Sequence, residues 1–237
     1  MLNQFSRTEL LIGHEGIEKL ASARVAVFGV GGVGGYTVEA LARSGVGTFD
    51  LIDDDKICIT NVNRQIYALR STVGKYKVDV MKARILDINP NAHVNCFKCF
   101  YLPETQDLFD FTKYDYIIDA VDTVTAKLQL IVQAKNAGTK IISCMGTGNK
   151  LNPTLFEICD ISKTEVCPLA RVMRQECKKR KITDVKVLFS REKPINPAYN
   201  CDSEKKGNAF APASCAFVPS VAGLMIAAEV IKDLTKC

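Results

Sequence analysis

A glycine run, Gly29-Val30-Gly31-Gly32-Val33-Gly34-Gly35, closes a short apolar segment and opens one of helical period. A turn this rich in glycine, set between strand and helix, lets backbone N–H groups approach an anion at the helix N-terminus, where the dipole favours negative charge. Asp53 then ends the next apolar run, 22 residues past Gly31, where a carboxylate can hold a ribose hydroxyl. These features commit the chain to a nucleotide-binding βαβ start, and the rest keeps the same rhythm. Strands are predicted at 25–30, 49–53, 94–100, 116–119 and 141–144, with helices at 34–43, 75–88, 103–109 and 125–137. Val78, Met81, Ile85 and Ile88 recur at spacings of three and four, a stripe that packs on a sheet. After Lys150 the pattern changes. Strands at 155–161 and 185–190 flank a basic helix from 168 to about 181. Residues 191–212 read as a long loop, and a closing helix spans 219–234. Around that helix Val218, Val221, Leu224, Met225, Ala228 and Ile231 cover one apolar face, opposite Glu229, Lys232 and Asp233. The expected fold is α/β, a Rossmann-like doubly wound sheet, mostly parallel in its N-terminal half with an antiparallel C-terminal extension of the same sheet. Residues 1–237 are expected to form one domain, with a nucleotide-binding half at 1–150 and the C-terminal strands, basic helix, loop and closing helix at 151–237.

Composition removes several function classes. With 47% hydrophobic and 24% charged residues, the chain is neither disordered nor fibrous. Ten Cys without a charged-then-apolar leader read as reduced thiols of a cytoplasmic protein. The longest apolar stretch, 216–228, is broken by Pro219 and Ser220 and is too short to span a bilayer. His14 and His93 are the only histidines, which excludes a multi-histidine metal site and leaves little for a Ser-His-Asp triad.

The motifs beyond the glycine loop depart from a dehydrogenase. Asp53-Asp54-Asp55 continues to Asn61-Val62-Asn63-Arg64-Gln65; Gly74-Lys75-Tyr76-Lys77 opens the next helix; Asp119-Ala120-Val121-Asp122 ends a later strand. All fall at carboxyl ends of strands or at helix starts, the edge where doubly wound sheets bind ligands. An arbitrary Arg or Lys is a solvated surface charge by default. Joint placement on this edge instead suits Arg64 and Lys77 as clamps on a triphosphate, with Asp122 as an oxygen ligand for Mg²⁺. A nicotinamide cofactor needs no such clamp.

The set Gly29-x-Gly31-Gly32-x-Gly34, Asp53-x-Asp55, Asn61-x-Asn63-Arg64-Gln65, Lys77 and Asp122 resembles the adenylating domain shared by ubiquitin-activating enzymes and bacterial ThiF and MoeB proteins. The segments Gln4 to Gly13, Asn63 to Leu69 and Ala216 to Gly223 look most like its tRNA threonylcarbamoyladenosine dehydratase branch. The resemblance implies that Asp53 takes the ribose, Arg64 and Lys77 take phosphates, and Asp122 takes Mg²⁺, with Gly29, Gly31, Gly32, Gly34, Asp55 and Asn61 completing the ATP site. It implies ATP and Mg²⁺ as cofactors, optionally a monovalent cation, and as substrate a tRNA bearing threonylcarbamoyladenosine, whose carboxylate is adenylated and then cyclised with loss of water. A homodimer is expected, with Arg7 reaching the facing subunit's triphosphate, and a sulfur-relay or redox protein is a further partner class.

Other readings compete with this one. An adenylyltransferase for a sulfur-carrier protein shares the ATP site, but those relatives typically carry two zinc-binding C-x-x-C pairs in the C-terminal half, absent here. Cys96-Phe97-Lys98-Cys99 lies on a predicted strand whose alternation sends the two thiols to opposite faces. Cys215 falls where related enzymes often carry a reactive Cys, although a buried structural thiol is the commoner outcome. An NAD-dependent oxidoreductase leaves Arg64, Lys77 and Asp122 unexplained, and a non-catalytic RNA-binding module leaves the clamp without purpose. Between Asp160 and Phe210 there are twelve Lys or Arg against seven Asp or Glu, a surplus equal to the net +5 of the whole chain. Arg171, Arg174, Lys178, Lys179, Arg180 and Lys181 are therefore the candidate tRNA contacts, against the alternative of a solvated helix face.

Overall fold

The computed structural model describes residues 2–198, 205–206, 209–210 and 212–236. Seven strands form one sheet: β1 (Arg24–Phe28), β2 (Thr48–Ile52), β3 (His93–Phe97), β4 (Tyr116–Asp119), β5 (Lys140–Cys144), β6 (Phe156–Asp160) and β7 (Lys186–Ser190). Their spatial order is β3-β2-β1-β4-β5-β7-β6. Val25, Ala26, Val27 and Phe28 of β1 are all fully buried, as expected for a central parallel strand covered on both faces. The strands from β3 through β7 in that order pair parallel, and only the edge strand β6 runs antiparallel, against β7. The antiparallel extension is thus a single strand. A short hairpin, β8 (Lys205–Lys206) with β9 (Ala209–Phe210), lies within the predicted long loop, of which 199–204, 207–208 and 211 fall outside the described residues.

Helices α1 (Ser6–Ser22), α2 (Gly34–Ser44), α3 (Lys77–Ile88) and α6 (Phe217–Thr235) contribute to one core layer, where Val25 and Val27 meet Leu41, Met81, Ile85 and Ile226. Helices α4 (Val124–Ala137) and α5 (Pro168–Lys179) contribute to the other, where Ala26 and Phe28 meet Ile131, Met173 and an aromatic group of Tyr101, Phe109 and Phe111. From β1 the chain steps outward through β2 and β3, then returns to β4 on the other side of β1 and steps away through β5. The carboxyl ends of β1 and β4 therefore flank the topological switch point, where doubly wound sheets bind ligands.

Three local expectations need correction. The predicted helix at 103–109 is a 3₁₀ segment, Pro103–Leu108, whose Thr105 hydroxyl lies within hydrogen-bonding reach of the Phe100 and Leu102 carbonyls. Helix α1 is absent from the sequence reading; it consists of two helical runs across Gly13, which has φ 74° and ψ 171°. The closing helix is rotated from its expected phase. It buries Val218, Ala222, Gly223, Ile226, Ala227 and Val230, while Leu224 is 46% exposed. Small residues set that face because α6 approaches α2 closely: a Cβ on Gly223 would lie 2.4 Å from the Val33 carbonyl oxygen, and Thr37 Oγ1 donates to the Gly223 carbonyl at 3.0 Å.

Candidate active site

The glycine loop is tight because two positions exclude a side chain. Gly29 has φ +87° and a Cβ there would stand 2.6 Å from the Ala120 carbonyl oxygen; on Gly34 it would stand 1.9 Å from the Gly29 carbonyl oxygen. The turn after β1 is thereby pressed against the turn after β4. Among the described residues no side chain caps α2, whose N-terminus opens directly from this loop and so suits an anion.

Asp53 follows β2 and reaches into the loop. Its Oδ2 accepts from the Val30 N–H at 2.7 Å and its Oδ1 from the Asp55 N–H at 3.0 Å. Burial pushes its carboxyl above the usual aspartate range, outweighing Lys77 and these two donors. Lys77, at the start of α3, is buried rather than solvated, with Nζ 2.5 Å from Asp55 Oδ2 and 3.5 Å from Asp53 Oδ1. The carboxylates of Asp53, Asp54 and Asp55 bring oxygens within 4.8 Å of one another, a hard-donor set of the kind Mg²⁺ accepts.

Residues 61–67 fold back over the same loop. A Cβ on Gly32 would lie 3.5 Å from Arg64 Cγ, and one on Gly35 would lie 3.0 Å from the Tyr67 ring. The Tyr67 hydroxyl reaches both the Val30 carbonyl and Gln65 Oε1. Buried Asn61 accepts the Cys58 N–H at 3.1 Å, which shapes the turn. Arg64 is half-buried and donates from Nη1 to the Thr60 carbonyl at 2.9 Å and to Asn63 Oδ1 at 3.0 Å. Asp122 occupies the exposed turn between β4 and α4. Beside it, the Thr123 hydroxyl is buried without a partner among the described residues, a polar atom that a ligand could satisfy.

Beneath this turn lies a group that sequence reasoning missed. Lys127 and Asp119 are both fully buried; Lys127 Nζ donates to the two Asp119 oxygens at 3.1 and 3.2 Å and to the Cys144 carbonyl at 2.6 Å. Ser143 Oγ donates to Asp119 Oδ2 at 2.5 Å, and Asp119 Oδ1 accepts the Val121 N–H at 3.2 Å. The pair thus locks the ends of β4 and β5 and the turn that carries Asp122.

The other candidates lie apart from this centre. On α5, Arg174 turns inward to Thr164, donating to its carbonyl at 2.6 Å and approaching its hydroxyl at 2.7 Å; Lys179 and Arg180 pair with Glu176. Arg171, Lys178 and Lys181 stand exposed. Arg7 is exposed on the first turn of α1, which also presents Leu10 and Leu11. Strand β3 ends at Phe97, so Cys99 lies past the strand rather than on it as expected; Cys96 packs against one core layer and Cys99 against the other. Cys215 is half-buried, its Sγ 3.8 Å from the Lys150 carbonyl oxygen.

The tRNA threonylcarbamoyladenosine dehydratase of Bacillus subtilis (strain 168) is 49% identical over 244 aligned residues, spanning 100% of this chain and 96% of that protein. The Escherichia coli K12 protein of the same name is 39% identical over 175 residues, 74% of this chain and 65% of that protein. A crystal structure of E. coli tRNA N6-threonylcarbamoyladenosine dehydratase in complex with ATP aligns with a TM-score of 0.88 at 32% identity, covering 98% of this chain and 94% of that one. The model of the ThiF family matches residues 5–237, and with the glycine loop, Asp53, Arg64 and Lys77 gathered at the switch point, this chain belongs to the ThiF family.

Proposed function

We propose that this protein is an ATP-dependent tRNA-modifying enzyme, a tRNA threonylcarbamoyladenosine dehydratase. The observation that carries the reading is the convergence of the glycine loop, Asp53, Arg64 and Lys77 on one crevice, in a chain similar over its full length to such a dehydratase. Asp53 takes the ribose of ATP; the N-terminus of α2 with Arg64 and Lys77 takes the phosphates. A carboxylate is a poor electrophile, so the threonylcarbamoyl carboxylate first attacks the α-phosphorus and pyrophosphate leaves. Arg64 and Lys77 stabilise the charge that develops on the phosphoryl oxygens. The carbamoyl group then attacks the acyl carbon, expels AMP and closes a ring, for a net loss of one water. Asp122, and separately the clustered Asp53-Asp54-Asp55 carboxylates, fit Mg²⁺ by donor chemistry; when bound, Mg²⁺ would neutralise phosphate charge.

The exposed cations Arg171, Lys178 and Lys181 serve the tRNA backbone, while Arg174 ties α5 to Thr164 and Lys179 and Arg180 are partly neutralised by Glu176 on the same helix. Leu10 and Leu11, each 86% exposed on α1, supply the apolar face for a homodimer, with Arg7 directed to the partner's triphosphate. Among the described residues no helix is long and apolar enough to cross a membrane, and a tRNA substrate is met in the cytoplasm. The test is incubation with ATP, Mg²⁺ and threonylcarbamoylated tRNA, followed by mass spectrometry of the nucleosides. The expected result is a modified nucleoside lighter by one water with equimolar AMP. AMP formation only with a ubiquitin-like carrier protein, and none with tRNA, would overturn the reading.

A further inference from the structure

Asn63 stands exposed beside Arg64, and its carboxamide is engaged at both ends. Oδ1 accepts from Arg64 Nη1 at 3.0 Å, while Nδ2 donates to the Ser214 carbonyl at 3.0 Å. Ser214 belongs to the segment 212–215 that leads into α6. A second asparagine holds this segment from another direction. Asn149, in the turn after β5, accepts the Ala213 N–H on Oδ1 and donates its own N–H to the Ala213 carbonyl, both at 2.7 Å. Asn149 adopts the left-handed conformation, φ 57°, which Asn tolerates better than most residues. The neighbouring Gly148 lets Pro212 come close, since a Cβ there would lie 2.6 Å from Pro212 Cβ.

The sheet order shows what this segment spans. Asn63 lies in the connection leaving β2, and Asn149 in the one leaving β5, and β1 and β4 stand between those strands. Segment 212–215 is therefore a strap that ties the connection leaving β2 to the one leaving β5, with the two asparagines gripping its adjacent residues Ala213 and Ser214. Only the Asn63 anchor also holds the phosphate clamp.

We propose that Asn63 is a positioning residue that joins Arg64 to this strap, so that seating the triphosphate on Arg64 also fixes the wall against which the acyl group of the second substrate is presented. The inference rests on Arg64 as a phosphate ligand. It gives Asn63 a purpose that neither nucleotide contact nor core packing supplies, because its side chain is exposed and spends both polar ends on these two partners.

Hydrogen exchange of the strap in the full-length protein, with and without a non-hydrolysable ATP analogue, tests the link apart from turnover. In the wild type the analogue should slow exchange of the strap amides. Asn63→Ala should still bind the analogue, yet the strap should no longer respond. Asn149→Gly keeps the left-handed backbone but loses the Ala213 acceptor, so its strap should exchange faster even without nucleotide. In turnover with threonylcarbamoylated tRNA, Asn149→Gly should lower kcat by about tenfold at unchanged KM for ATP, the scale of a modest misplacement of reacting groups. Asn63→Ala should lower kcat similarly, and the double variant should be no slower than the slower single, because both residues act on one strap. All variants should melt with the wild type, since exposed hydrogen bonds contribute little to stability. The proposal is overturned if the strap of Asn63→Ala responds to nucleotide as the wild type does, or if the two losses multiply. If Arg64→Ala binds the analogue like the wild type, the clamp assignment itself has failed, which separates that outcome from failure of the strap.

Discussion

Replacing Lys127 by Met should destabilise the protein more than any surface change, because it breaks a charge pair that no water reaches. Both side chains have zero exposure, and the ammonium meets three oxygens: two of Asp119 and the Cys144 carbonyl. Without it, Asp119 keeps a buried charge compensated only by Ser143 Oγ and the Val121 N–H, and the Cys144 carbonyl loses the lysine donor. Removing one partner of a buried pair costs about 3–5 kcal/mol. For a chain of this length, about 2–4 °C is lost per kcal/mol, so the melting temperature should fall by about 6–20 °C. Calorimetry of Lys127→Met against the wild type measures the drop. The double variant Asp119→Asn, Lys127→Met should recover most of it, because the introduced carboxamide carries no charge yet can still accept the Val121 N–H. A single variant melting within about 2 °C of the wild type, or a double variant no more stable than the single, would refute the reasoning.

Arg64→Ala and Lys77→Ala should each slow AMP formation by about 10²- to 10³-fold at saturating ATP, the usual cost of removing one donor to developing charge; wild-type turnover in both would end the clamp assignment. Burial pushes Glu39 up, but Arg84 and Arg43 together hold it below the usual glutamate range. Its stabilising contribution is therefore complete above pH about 4.5 and is lost as pH falls through the lowered value. Arg84→Ala should cost about 1 kcal/mol near neutrality, discounted because the guanidinium is partly exposed, and should flatten the acid limb of the melting curve; an unchanged limb counts against it. Changing Arg171, Lys178 and Lys181 to Ala should raise the KM for tRNA and flatten the salt dependence of binding by about one unit of slope per lost contact, with ATP affinity unchanged. Wild-type binding across a salt titration would make α5 a solvated face.

The nucleotide half is legible in the sequence because its signals are local. The glycines around Gly29 and Gly34 are required by contacts within one turn and with the adjacent β4 turn, and Asp53 sits at a strand end a fixed distance onward. Lys127 is illegible for the opposite reason. A lysine on a helix reads as a solvated charge, and only the approach of β4 and β5 beneath α4 turns it into the counter-ion of Asp119. The phase of α6 fails similarly, since hydrophobic periodicity favours Leu224 and Met225, whereas close approach to α2 selects Ala222, Gly223 and Ala227. Helix α1 is hidden by Gly13, which interrupts its pattern midway. The basic run 178–181 shows charge, but not that Lys179 and Arg180 are drawn to Glu176.

Activation of the carboxylate is the step most open to direct measurement. Threonylcarbamoylated tRNA carrying ¹⁸O in both carboxylate oxygens should be turned over with ATP in ordinary water, and the released AMP analysed by mass spectrometry. If the carboxylate attacks the α-phosphorus and the adenylate is then expelled by ring closure, each AMP carries one ¹⁸O and the cyclic nucleoside keeps the other. Unlabelled AMP, or release of ADP and phosphate in its place, would contradict adenylation at this site.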